Sequence, residues 1–113
     1  MLLPKTIQGL KLTKNDLLAV KKQIQKDLGM TGLESDNIQG ENLMKLWSEL
    51  SDVLLNANEE DPEALRAFLY RVDVKEDAVT DAVIGTKDYI PTLTALVILR
   101  QWEKIQFRKN YSS

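Results

Sequence analysis

Pro91-Thr92-Leu93-Thr94-Ala95-Leu96-Val97-Ile98-Leu99 is the stretch whose reading decides the fold. It is apolar on almost every side, and the chain then turns amphipathic through Arg100, Trp102, Lys104, Ile105, Phe107 and Arg108 as far as Asn110. A helix that is apolar all round belongs inside a protein, so 91–110 is predicted to be the central helix of a small bundle. One seam, Ala95-Ile98-Trp102-Ile105, stays apolar throughout. At about 100° per residue, the side holding Leu93, Leu96 and Val97 continues into Arg100, Lys104 and Arg108. That change from apolar to basic makes Leu93, Leu96 and Val97 candidate interface residues. Arg100, Lys104 and Arg108 are candidate anion- or partner-binding residues, with Phe107 beside them.

Working outward, each preceding segment supplies a helix to pack on this one. Thr13 is a good N-cap, with Asp16 three residues later and a staple between Leu12 and Leu17. Leu17, Val20, Ile24 and Leu28 recur on one face, and Gly29 is expected to end the helix in a left-handed conformation. Residues 29–40 hold three of the five glycines and read as a loop, with Met30, Leu33 and Ile38 available to tuck onto the core. A second helix is expected over 41–56. Leu43, Leu46, Trp47, Leu50, Val53, Leu54 and Ala57 form its broad apolar face, while Met44 and Leu55 lie off it. Asp61-Pro62 restarts the chain as cap and first helical residue, and Leu65, Phe68, Leu69 and Val72 follow as a stripe. Asp73 and Glu76 suggest a capping box for a shorter helix with Ala78, Val79, Ala82 and Val83 inward and Gly85 at its end. Residues 1–12 read as an extended lead-in, and 111–113 as a tail.

The expected architecture is therefore all-α: a single-domain bundle, 1–113, of about five helices with the C-terminal one central. The expected core comprises Leu17, Val20, Ile24, Leu46, Trp47, Leu50, Phe68, Leu69, Val79, Val83, Leu96, Ile98 and Trp102. With 113 residues, the chain is long enough to bury such a core without staples.

Composition narrows the chemistry. The sequence has neither Cys nor His. That excludes disulfides, thiolate catalysis and Cys-based metal sites, and removes the commonest general base and transition-metal ligand. Glu59, Glu60, Asp61 and Glu63 surround a helix start, where the dipole favours carboxylates. A calcium-loop register through Asn56, Asn58 and Glu60 puts Asp61 where glycine is required and Ala67 where the bidentate Glu belongs. Asp73, Asp77 and Asp81 repeat every four residues, a row that basic residues from the chain ends would offset. The two short helices 62–72 and 75–84 fail as a DNA reader, because the second carries Glu76, Asp77 and Asp81 against Lys75 alone. No catalytic, cofactor-binding or metal-ligating residues are assigned, and no cofactor is expected.

Charge is segregated along the chain. Residues 1–33 hold six Lys against two Asp, 34–88 five basic against fourteen acidic, and 89–113 four basic against one acidic, for a net −2. The ends and the middle can pair within the bundle, or present a bipolar surface to a charged partner. With no signal-like N-terminus and no apolar run near the roughly 20 residues of a membrane span, a cytoplasmic, soluble protein is expected. The favoured function is a non-enzymatic, helical protein–protein interaction or regulatory module, with a protein partner or a second copy as its target. An anion or nucleic-acid binder using the basic row is the alternative, and overall acidity weighs against nucleic acid. An enzyme built from Asp, Glu, Lys or Tyr stands third.

Overall fold

The computed structural model describes residues 3–75, 77 and 89–111. Five helices lie among them: α1 (Lys5–Gln8), α2 (Lys14–Met30), α3 (Leu43–Glu60), α4 (Pro62–Val72) and α5 (Tyr89–Tyr111). The described residues contain no strand. The expected short helix after Asp73, with Val79 and Val83 in the core, lies outside the described residues.

Helix α5 packs against each of the other four and is the central element, as its composition implies. Its 23 residues make about 35 Å at 1.5 Å each, comparable with the longest extent of the molecule, 41 Å. Pro91 sits in its first turn, where the missing N–H breaks no helical bond. Two contacts fasten that turn to α3: the Trp47 indole N–H donates to the Pro91 carbonyl at 3.0 Å, and the Tyr89 hydroxyl donates to the Asn58 side-chain oxygen. Thr94, wholly buried, spends its hydroxyl on the Ile90 carbonyl four residues back, at 2.7 Å.

The remaining helices begin where local chemistry tells them to. Thr13 Oγ1 accepts the Asp16 amide at 3.0 Å, Asn42 Oδ1 the Lys45 amide at 2.8 Å, and Asp61 Oδ1 the Ala64 amide at 3.2 Å. Their ends are less local. Gly29 lies inside α2, and the left-handed residue is Gly32, at φ +80°. The helix closes there as Leu33 donates to the Leu28 carbonyl and Gly32 to the Gly29 carbonyl, satisfying two otherwise orphaned acceptors. Helix α3 continues through Asn56 and Asn58 to Glu60, four residues past its expected end. Burial of Ala57 and the Tyr89–Asn58 bond outweigh the weak helix propensity of asparagine. Asp61 is both the stop of α3 and the cap of α4.

The lead-in is not wholly extended. One helical turn, α1, inserts a completely buried Ile7 against α5. Beyond it, Gly40 is buried where the loop meets α3. A Cβ there would stand 2.8 Å from the Leu46 Cα and Cβ, so only glycine fits without backbone displacement.

The core joins Ile7, Val20, Ile24, Leu28, Ile38, Leu46, Trp47, Leu50, Leu54, Phe68, Val72, Leu93, Val97 and Ile98. Of the expected core residues, Leu17, Leu69 and Trp102 are only half-buried and pack on its edge, and Leu96 is half-buried as well. Met44 and Leu55 are exposed, as expected of positions off the α3 face, whereas Met30 is exposed rather than tucked in. No helix among the described residues is long and apolar enough to cross a membrane.

Candidate functional site

Polar chemistry gathers in three places, each a consequence of how the helices meet. The first is a knot at the centre. Asp27 on α2 is 2% exposed, yet it is a carboxylate. The Arg71 Nε of α4 donates to its Oδ1 at 2.8 Å and the Gln23 amide to the same oxygen at 3.1 Å. The Gln101 amide of α5 donates to Oδ2 at 2.7 Å. One buried acid thereby ties α2, α4 and α5 together. Gln101 itself is fully buried and its Oε1 has no hydrogen-bond partner among the described residues; nor, among them, have the buried Trp102 indole N–H and Ser51 hydroxyl. Each such group costs about 1–3 kcal/mol.

The second place is the outer side of α5 beyond Leu99. Leu93 and Val97, expected as candidate interface residues, are buried by the other helices of this chain, and Leu96 is half-buried. The apolar side therefore faces inward, and the basic residues that continue it emerge at the surface. Arg100 and Lys104 are half-buried, Arg108 is exposed, and Phe107 is 61% exposed. Together with Glu103 they line an open concavity of ≈ 520 Å³.

Arg100 has a structural engagement: it donates to the Asp73 side chain at 3.0 Å and to the Asp73 carbonyl at 3.2 Å. Asp73 is the left-handed residue that closes α4, at φ 68°, and the helix it is expected to cap lies outside the described residues. Val74 and Asp73 donate back to the Leu69 and Tyr70 carbonyls in the arrangement seen at the end of α2. Both side chains of the Arg100–Asp73 pair are solvent-accessible, so the pair is worth no more than about 1 kcal/mol.

Lys104 is different. Among the described residues no acid forms an ion pair with it. Burial, followed by the neighbouring charge of Arg100, lowers its pKa below the ordinary lysine value. Asp27 and Asp73 oppose this at longer range, and Arg108 adds to it. A half-buried ammonium between two guanidiniums, each one helical turn away, is a position whose charged form an anion would stabilise.

Lys109, one step further, turns to the start of α2 and pairs with the buried Asp16. That hydrogen bond is the main reason the Asp16 carboxyl titrates below its ordinary range; burial opposes the shift, and Thr13 assists it.

The third place is a cleft of ≈ 470 Å³ between α3 and the loop that precedes it. Leu33, Val53 and the buried Ala57 line it together with Glu34, Glu49 and Asp52. Among the described residues, none of these three acids is ion-paired. Glu49 accepts the Gln39 amide at 3.2 Å, and Glu34 accepts the Asn37 side-chain amide at 3.1 Å. No group of three or more acids among the described residues is placed to hold a metal ion.

The sequence named the row Arg100, Lys104 and Arg108, and the structure brings all three to one concavity. It did not name the Asp27 knot. The signal was present: Asp27 falls on the Val20-Ile24-Leu28 face, and Gln101 falls between Val97, Ile98 and Ile105 on the buried side of α5. A polar residue inside an apolar stripe implies a buried partner, though not which one. Comparison with family models, with curated proteins and with solved structures finds no match to the chain.

Proposed function

We propose that this protein is a non-enzymatic interaction module that docks a carboxylate-rich protein segment on the ridge Arg100-Lys104-Phe107-Arg108. One observation carries the reading: Lys104 is half-buried between two cations of its own helix, with no acid paired to it among the described residues. Like charges at this spacing destabilise a helix by a few tenths of a kcal/mol per pair. A row that persists at such a cost gains its return when an anion binds. The half-buried ammonium of Lys104 offers the charge, and the exposed Phe107 ring adds apolar surface one turn along.

A polypeptide fits better than nucleic acid. Tracking a phosphate backbone calls for an extended basic surface, and here α3 and its loop present the acids Glu34, Glu49 and Asp52 instead. The concavity is open rather than enclosed, and an activated lysine needs exclusion of water to do covalent chemistry, so binding suits this site better than catalysis.

The test is titration of an oligoglutamate peptide at low ionic strength, followed by Trp fluorescence or calorimetry. Saturable binding is expected, weakened at least about tenfold by Lys104→Glu and by raising salt. Absence of binding, or binding indifferent to Lys104→Glu, overturns the reading. Tighter binding of a single-stranded oligonucleotide than of the peptide would replace the partner class.

A further inference from the structure

We propose that the acidic partner of the α5 ridge is a second copy of this chain, whose cleft between α3 and the preceding loop receives Phe107 head to tail. The inference rests on the docking role assigned to the ridge and supplies its occupant. The two surfaces are complements in shape and charge. The ridge is an apolar knob, Phe107 at 61% exposure, among three cations. The cleft is lined by Leu33, Val53 and Ala57 together with three acids, Glu34, Glu49 and Asp52, none of which has a cation paired to it among the described residues. Its ≈ 470 Å³ is ample for one aromatic side chain and the carbons of a flanking Lys or Arg.

Lys104 and the acids gain from the same event. Carboxylates brought beside Lys104 relieve the repulsion from Arg100 and Arg108, and cations brought to the cleft neutralise three neighbouring acids. A second basic face exists on α2, where Lys14 and Lys22 flank Leu18. Leu18 is less exposed than Phe107, at 43% against 61%. The α5 ridge is therefore the better match.

Because the two surfaces differ, the pairing is heterologous: every copy engaged through its ridge still has a cleft to offer. Such contacts grow into open chains unless the rotation between copies closes a ring. A single knob and its charges bury less than the roughly 1,200 Å² of a stable standard interface, so the association is weak and sensitive to salt.

The test uses the full chain in sedimentation velocity over a concentration series. The wild type is expected to show concentration-dependent species larger than a monomer, weakened at least about tenfold by raising ionic strength from 0.05 to 0.5 M. Two variants separate the surfaces: Glu34→Gln with Asp52→Asn removes charge from the cleft, and Lys104→Glu with Arg108→Glu reverses the ridge, so the two altered surfaces do not complement each other. Circular dichroism melts establish that both fold. Each alone is expected to be monomeric. Mixed, they are expected to form a one-to-one dimer that grows no further, because the mixture contains one intact ridge and one intact cleft per pair.

A wild type that stays monomeric throughout, variants that still assemble, or a mixture that stays monomeric overturns the inference. So does assembly lost on Lys22→Glu but kept on Lys104→Glu. A wild type that binds oligoglutamate yet never associates defeats the second copy and leaves the docking role intact; failure of both measurements defeats both.

Discussion

The Asp27 knot and the α5 ridge are neighbours on the same helix, and they handle charge in opposite ways. At Gln101 the helix turns a neutral amide inward, and the single buried carboxylate it meets collects Arg71 and Gln23 as well. One turn away, Lys104 sits among charges of its own sign. Three helices cooperate to satisfy the acid, whereas one helix assembles the cations. The buried charge has partners from three elements, whereas the half-buried one is crowded by its like.

The contrast can be broken most severely at its inner member. Asp27→Ala leaves Gln101, Gln23 and the Arg71 guanidinium without their acceptor, and should lower the unfolding free energy by about 3 kcal/mol in urea denaturation. Part of Arg71 reaches solvent, which holds the loss to the lower end for a buried pair. Asp27→Asn keeps an acceptor oxygen and should lose less. Equal losses for the two variants would mean that charge, and not hydrogen bonding, holds the knot.

The closure of α4 gives a smaller effect. Asp73→Ala removes the Arg100 partner and keeps a Cβ at φ 68°, whereas Asp73→Gly removes both. The glycine variant should be the more stable of the two by about 1 kcal/mol, measured by thermal unfolding. A reversed order would show that glycine's extra unfolded-state entropy exceeds the left-handed strain.

Acid pH sharpens the comparison at the helix end. Lys109 holds the folded Asp16 carboxyl below its ordinary value of 3.8, so the native state binds that proton less readily than the unfolded chain. The pair's contribution is complete above that ordinary value and disappears as pH falls through the folded one. Lys109→Met should flatten this part of the stability–pH curve. A curve identical to that of the wild type would remove Asp16 from the acid response.

The smallest effect belongs to the ridge. Lys104→Met removes a cation whose charged form the fold disfavours, and should leave stability unchanged or raise it by up to about 0.5 kcal/mol. Its folded pKa lies below the ordinary 10.5, so unfolding the wild type takes up a proton between the two values and stability rises with pH there. The Met variant should lack that rise. A loss above about 1 kcal/mol would place Lys104 among structural residues and withdraw the ridge as a docking site.

What could be foreseen in the sequence follows the range of the interactions. Thr13 and Asp61 were legible as caps because the groups they satisfy lie three residues away. The central helix was legible because composition alone forbids solvent on most sides of 91–99. The end of α3 was not, since Asn58 is held in the helix by Tyr89, and Gly32 rather than Gly29 closes α2 because Leu33 returns to Leu28. The row Arg100, Lys104 and Arg108 was visible at helical spacing, but the division of labour within it was not. Asp73 claims Arg100 only once α4 has closed in its left-handed turn. Asp27 and Gln101 are 74 positions apart, and no local pattern says which polar residue in one stripe meets which in another.

That separation has a consequence for the order of events during synthesis. Chains emerge N-terminal end first, and α2 and α4 are both complete while α5 has yet to be made. Asp27 then has Gln23 and Arg71 but lacks Gln101, Asp16 lacks Lys109, and the apolar faces of α1 to α4 lack the helix they all touch. Until α5 is made, the apolar faces that it covers stay open. Closure is then a late event of high sequence separation, and the waiting chain is the form most in need of a chaperone.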